Sequence, residues 1–293
     1  MLDEATLRAE LITCGRELPL EERFCYRAIR SWIFKVTPQT ELTLHIHFPH
    51  DWRATDCRPA VVFFFGGGLQ DGTVEQFTRQ AVYLAGRGMV VARADYRLMP
   101  KHGVTADRCV ADAKSAVRWV RSHAAELGVD PNRIAAGGGS AGGFLAAATG
   151  ILPGLDDPDE DLAISSRPNL MALYNPAFGI YSRTNADFSG VEGELGDMLR
   201  RSLAPTEELA RQLDTTAHLQ ADVPPMWVWF GREDVIYSMS MEFLERARAL
   251  GCAMDLLLTD GADHGFFNDY MVYYRETLAD LTRFLEDQGY LSP

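Results

Sequence analysis

A chain of 293 residues with 47% hydrophobic content is long enough to bury one large core and has the composition of an ordinary globular domain. Its formal net charge of -13 argues against nucleic acid and anionic membrane as partners, since both would repel it. The five cysteines, Cys14, Cys25, Cys57, Cys109 and Cys252, are scattered without a C-x-x-C pair or metal spacing, which fits a reducing compartment.

The opening Met-Leu-Asp-Glu-Ala-Thr-Leu-Arg lacks the basic and apolar regions of an export signal, and no apolar run reaches about 18 residues. The expectation is a cytoplasmic protein with no membrane partner. Residues 3 to 30 carry helical spacing broken at Pro19, so residues 1–34 are expected as an N-terminal helical segment that helps cover the site. Strands are expected over Leu42 to Phe48, Ala60 to Phe65 and Met89 to Ala94, with a helix near Val74 to Ala85. A long helix follows from about Ala106 to Leu127, in which Val110, Ala113, Val117, Val120 and Ala124 form one apolar stripe against the sheet. This alternation predicts an α/β fold with a mostly parallel central sheet and helices on both faces.

His45 and His47 share one face of their strand, but no third ligand at suitable spacing accompanies them, and no metal is read there. His102, His123 and His218 read as surface or capping residues, and the acidic run Asp156 to Asp161 reads as a solvated loop.

The segment Gly138-x-Ser140-x-Gly142 sits where an apolar strand ends and a small-residue helix, about Ala141 to Ile151, begins. A serine in so tight a strand-to-helix turn stands clear only if its neighbours lack side chains, and the helix aims free N–H groups at the same point. The same letters also fit a dinucleotide-binding fingerprint, Gly137-x-Gly139-x-x-Gly142. That reading fits worse. At least two strand-helix units come earlier, and the acidic residues at the right distance, Asp156 and Asp157, lie in LPGLDDPDEDL, which is no buried strand.

After a strand at Leu170 to Tyr174, the stretch Ala177 to Val223 is longer than a simple connection and carries helical patches at Leu195 to Leu203 and Thr206 to Leu213. Its Phe178, Tyr181 and Phe188 are either pocket walls or core aromatics; both readings stand. Two more strands, from Pro225 and from Met254, run into turns that place Asp234 and His264 at the carboxyl edge of the sheet. Ser140, Asp234 and His264 thus form a relay in the chain order serine, acid, histidine. Glu233 and Asp263 are the nearest rivals for the acid. The strand Ala60 to Phe65 ends in Gly66-Gly67-Gly68, and the N–H groups of Gly67, Gly68 and Ala141 are expected to form an oxyanion hole.

From about residue 35 to 288 the chain resembles the α/β-hydrolase esterases of the hormone-sensitive-lipase-like, acetyl esterase type. The resemblance rests on FFFGGG, Asp95-Tyr96-Arg97, DAKSAVRW, GGGSAGG, the Asp234 turn and Asp263-His264-Gly265-Phe266. It implies one α/β-hydrolase domain, with residues 1–34 and 177–223 as elements of a small helical lid. It further implies a serine carboxylesterase acting on small, short-chain, acetyl-like esters through an acyl-enzyme, without a cofactor. Ser140, Asp234 and His264 would be its triad; Leu69, Phe178 and Phe266 would meet the substrate; a homodimer is compatible with it. The chain departs from the family at Phe65, where histidine is common, and at Leu69, where an aromatic often follows the glycines. An amidase or peptidase on the same scaffold, and a hydrolase-fold binding protein without chemistry, are the alternatives.

Overall fold

The structure is a computed structural model that describes residues 29–181, 204–268 and 272–292, with positions 193 and 197. The expected helices before residue 29, the patch Leu195 to Leu203 apart from Asp197, Phe188, Cys14 and Cys25 lie outside the described residues.

Eight strands form one sheet: β1 (Ile29–Val36), β2 (Glu41–His47), β3 (Arg58–Phe64), β4 (Val90–Ala94), β5 (Val129–Gly139), β6 (Leu170–Tyr174), β7 (Met226–Gly231) and β8 (Met254–Thr259). Their spatial order is β1-β2-β4-β3-β5-β6-β7-β8. From β4 to β8 the neighbours run parallel, as expected for strands joined through helices; β1, β2 and β4 pair antiparallel. The strands β4, β6 and β7 are buried along their whole length; β6 and β7 read as unbroken apolar runs for that reason, while β4 carries the buried Arg93, whose Nε donates to His47 Nε2 (3.0 Å).

β1 corrects the expectation of helix through residue 34. IRSWIFKV places Trp32 and Phe34 two residues apart and packs both on the core, Trp32 with its ring 6.0 Å from Phe48. The turn to β2 closes through Thr37, whose N–H donates to the Thr40 carbonyl (3.0 Å). That period of two is the strand pattern, and pairing with β2 overrides the helical spacing carried by the preceding residues.

Helix α1 (Thr78–Gly86) follows a short 3-10 turn, Val74–Phe77. The long helix divides: α2 covers Ala106–Ser122, and a single turn, Ala124–Leu127, follows His123. At that junction the His123 ring stacks 4.0 Å from the Trp119 ring, and Gly128 closes the segment with φ 61°. Helix α3 spans Ala141–Ile151, buried throughout, and α4 spans Tyr274–Asp287. The helices divide between the two faces of the sheet. Val110 and Val117 of α2 and Phe144 and Leu145 of α3 join one core cluster; Ala81 and Leu84 of α1 join the other with Leu281 and Phe284 of α4.

The acidic run is not merely solvated. Asp156 accepts from Lys114 (3.1 Å) and pairs with Arg118, Glu160 also pairs with Arg118, and Asp157 pairs with Lys35 (2.8 Å). Lys114 and Arg118 lie on the buried side of α2, so their charges require carboxylates, and the loop supplies them. His102 Nδ1 accepts the Leu98 N–H (2.8 Å), a capping contact, and His218 Nε2 lies 3.1 Å from the Arg211 carbonyl. His45 Nδ1 lies 3.0 Å from the Ser31 hydroxyl. Among the described residues no helix is long and apolar enough to cross a membrane, and no group of histidine, cysteine and carboxylate side chains is arranged to hold a metal.

Candidate active site

β5 runs into α3 with a single residue, Ser140, at the corner, and that residue has φ 56° and ψ -121°. A side chain at either flanking glycine would block the turn. A Cβ on Gly138 would lie 2.4 Å from the Gly142 carbonyl oxygen, and one on Gly142 would lie 2.1 Å from that of Phe64. The glycines therefore allow α3 to pack directly on β3 and β5 while serine takes the strained conformation. Ser140 N–H donates to the Tyr174 carbonyl (3.0 Å), and the Ser140 carbonyl accepts from Phe144 (3.0 Å) and Ala177 (3.2 Å). The backbone of the corner is thus pinned from its own helix and from the end of β6.

Two loops bring partners to the hydroxyl. His264, after β8, places Nε2 2.9 Å from Ser140 Oγ and Nδ1 2.9 Å from Asp234 Oδ2. Asp234 follows β7 and is buried, with no side-chain surface exposed, while the His264 side chain is 21% exposed. Both oxygens of Asp234 are used, because Oδ1 accepts the Ile236 N–H (2.8 Å) and caps the short helix Val235–Met239. The residue is a helix cap and an imidazole partner at once.

The rival acids are placed elsewhere. Asp263 Oδ1 accepts the backbone N–H of His264 (2.6 Å) and leaves the ring to Asp234. Glu233 is exposed at the turn.

The glycine loop after β3 lies beside the corner. A Cβ on Gly66 would approach Ser140 Cβ to 3.2 Å. Gly67 and Gly68 both have positive φ, 111° and 62°, and the Gly67 carbonyl accepts the N–H groups of Gln70 (3.0 Å) and Asp71 (3.1 Å). Ala141 is the first residue of α3, so its N–H has no acceptor within the helix. Phe65, standing where histidine is common, is held by Tyr96: the rings stack at 4.2 Å and the Tyr96 hydroxyl donates to the Phe65 carbonyl (2.8 Å). Burial pushes the Tyr96 phenol well above the usual tyrosine value, so it stays a donor.

The structure buries the residues expected as substrate walls. Phe178 is fully buried, stacked 3.7 Å from Phe243, and Phe266 is fully buried beside Trp229. Leu69 is 1% exposed with φ 61° and packs in the core, and Tyr181 is buried against Phe144. These positions are core because their rings and chains are covered by neighbouring elements, which an apolar letter does not reveal.

One neighbour of the imidazole was not expected: Asn175, at the end of β6, is fully buried with φ 32°, and its Nδ2 lies 3.0 Å from His264 Nδ1. The only signal in the sequence is an asparagine between Tyr174 and Pro176 at a strand end, a position that asparagine's tolerance of positive φ suits.

A mostly parallel α/β sheet carrying serine, histidine and aspartate at its carboxyl edge defines an α/β-hydrolase. Residues 44–246 match the BD-FAE family model. Carboxylesterase NlhH of Mycobacterium tuberculosis is 30% identical over 242 residues, covering 80% of this chain and 73% of that protein. Among solved structures, butyrate-bound Est2 of Thermogutta terrifontis superposes with a TM-score of 0.81 at 42% identity, over 91% of this chain and 96% of that one. Thermogutta terrifontis esterase 2 phosphonylated by cyclosarin gives a TM-score of 0.81 at 41% identity, over 90% and 96%. The chain belongs to the BD-FAE family, within the hormone-sensitive-lipase-like α/β-hydrolases, and it is a carboxylic ester hydrolase.

Proposed function

We propose that the protein hydrolyses small esters of short-chain carboxylic acids through an acyl-enzyme on Ser140. The observation that carries this reading is the unbroken contact from Ser140 Oγ to His264 Nε2 and from His264 Nδ1 to Asp234, each 2.9 Å. As the serine oxygen attacks the ester carbonyl, its proton passes to His264 Nε2, and Asp234 stabilises the resulting imidazolium. The carbonyl oxygen, now an anion, accepts from the N–H groups of Gly67, Gly68 and Ala141. When the tetrahedral centre collapses, the alkoxide departs with the proton from His264, leaving an alcohol and the acylated serine. Water, deprotonated by the same imidazole, then adds to the acyl carbonyl, and its collapse returns the proton to Ser140 and releases the acid.

Two properties of the relatives support the short acyl chain and a covalent organophosphate adduct. One Thermogutta structure is described as butyrate-bound and another as phosphonylated. The test is twofold. An organophosphate should add one phosphoryl mass to the protein and none to the Ser140→Ala variant. A panel of aryl esters from acetyl to lauroyl should give its highest kcat/KM at the short end. A maximum at the long end would overturn the acyl preference, and an adduct that survives Ser140→Ala would overturn the nucleophile.

A further inference from the structure

The glycine loop and the histidine loop are far apart in sequence, yet the reaction requires them to act on one substrate at one moment. The glycine loop follows Phe65, whose carbonyl is held by the Tyr96 hydroxyl, and a second tie meets the loop at the next residue. Gly66 N–H donates to Gln76 Oε1 (2.7 Å), on the short 3-10 turn before α1. The other end of the same amide, Gln76 Nε2, donates to Asn268 Oδ1 (3.2 Å). Asn268 then closes on the histidine loop, its Nδ2 donating to the Gly265 carbonyl at 2.7 Å and its backbone N–H to the same oxygen at 3.1 Å. Gly265 directly follows His264.

One helical turn beyond Gln76, the buried Gln80 donates through Nε2 to the Phe267 carbonyl (3.4 Å), and the ring of Phe77 stacks 5.5 Å from that of Phe267. The turn and the start of α1 therefore act as a strap that grips the histidine loop on one side and the glycine loop on the other. An uncharged amide suits the central position, because it accepts from Gly66 and donates to Asn268 without placing a charge beside the oxyanion or the imidazolium.

We propose that Gln76 and Asn268 are positioning residues that hold the glycine loop in register with His264. The proposal presupposes the serine relay above and deepens it, assigning the side chains that tie the glycine loop to the histidine loop. Catalytic donors and the proton-transferring ring must be held within about 0.5 Å of productive geometry, and a misplacement of about 1 Å can cost about a hundredfold in rate.

The experiment is steady-state hydrolysis of an aryl butyrate by the parent, Ser140→Ala, Gln76→Leu, Asn268→Leu and the double variant, with thermal melting of each. Parental turnover that disappears in Ser140→Ala secures the relay; its absence in the parent would be a failure of the functional reading. With the relay secured, Gln76→Leu should lower kcat by about 10- to 100-fold with KM within about threefold, because the loss falls on the transition state. The double variant should lose little more than the worse single one, since both break one connection. A Gln76→Leu kcat within twofold of the parent, or losses that multiply in the double variant, would overturn the proposal.

Should the leucine variants fail to fold, Gln76→Glu and Asn268→Asp carry the same test. Each keeps its acceptor and loses its donor, and each should lower kcat at least about fivefold with KM within about threefold. Parental kcat in both would overturn the proposal.

Discussion

The two ends of the parallel strands solve opposite electrostatic problems. At the carboxyl edge, Ser140, His264 and Asp234 are joined by hydrogen bonds of 2.9 Å, the serine backbone is strained, and the imidazole keeps part of its surface open. Toward the amino edge, Lys114 and Arg118 of α2 are buried and neutralised by Asp156 and Glu160. Open concavity also lies on that side: clefts of about 420 and 740 Å³ are lined by residues that include Arg118 and Arg121 respectively. The cations there already have protein partners, Arg121 through the Pro131 carbonyl (3.0 Å) and Arg118 through the Ile164 carbonyl (2.8 Å). The lesson is that concavity alone does not locate chemistry. One edge spends its polar groups on holding the fold together, and the other leaves its groups poised to act on something else.

The comparison breaks most sharply at Ser140. Ser140→Ala should reduce kcat for an aryl ester by at least about a thousandfold while changing stability by no more than about 1 kcal/mol. Turnover within tenfold of the parent would remove the serine from the mechanism. The mirror experiment is Arg118→Ala, which leaves Asp156 and Glu160 without their guanidinium and should destabilise the fold by about 2–4 kcal/mol. A urea titration reads that loss, and kcat and KM of the folded fraction should remain parental. A matching loss of kcat would mean that the two edges are coupled.

The smallest effect is on acid stability. Burial pushes the Asp156 carboxyl up, but its hydrogen bond to Arg118 and the Lys114 charge outweigh that and hold it below the usual carboxylate range. Asp157 is likewise lowered against burial by its hydrogen bond to Lys35. A carboxyl lowered by folding stabilises the native state fully above its unfolded value, about pH 3.9, and that contribution disappears as pH falls through the folded value. The urea midpoint of the parent should therefore fall more steeply below about pH 4 than that of an Asp156→Asn, Asp157→Asn double variant. Parallel curves would show that these pairs carry no pH-linked stability.

Most of the sheet and the relay were legible in the sequence because the same local rules place them. Glycine on both sides of Ser140 marks the corner, and apolar runs from Pro225 and Met254 ending in turns put Asp234 and His264 at one edge. β1 was harder to read. Its Lys35 is buried only because Asp112 and Asp157 meet its ammonium, at 3.1 and 2.8 Å, and neither is near it in sequence. The break at His123, where φ reaches -101° and the ring Nδ1 lies 2.9 Å from the Trp119 carbonyl, leaves no mark on the apolar stripe, which runs on to Ala124. The burial of Phe178 and Phe266 was not legible, because an apolar side chain has the same letter whether its far side meets solvent or another ring. Gln76 and Asn268 form no motif at all, since their contact spans 192 positions and rests on two neutral amides.

The backbone at Ser140 has a practical consequence for protein engineering. Its N–H is held by the carbonyl of Tyr174, and its carbonyl receives the N–H of Ala177. Grafting GGGSAGG into another scaffold would move the letters without the clamp. A successful transplant would have to carry the Tyr174–Ala177 crossover with it, so the unit of inheritance here is a pair of adjacent strand ends.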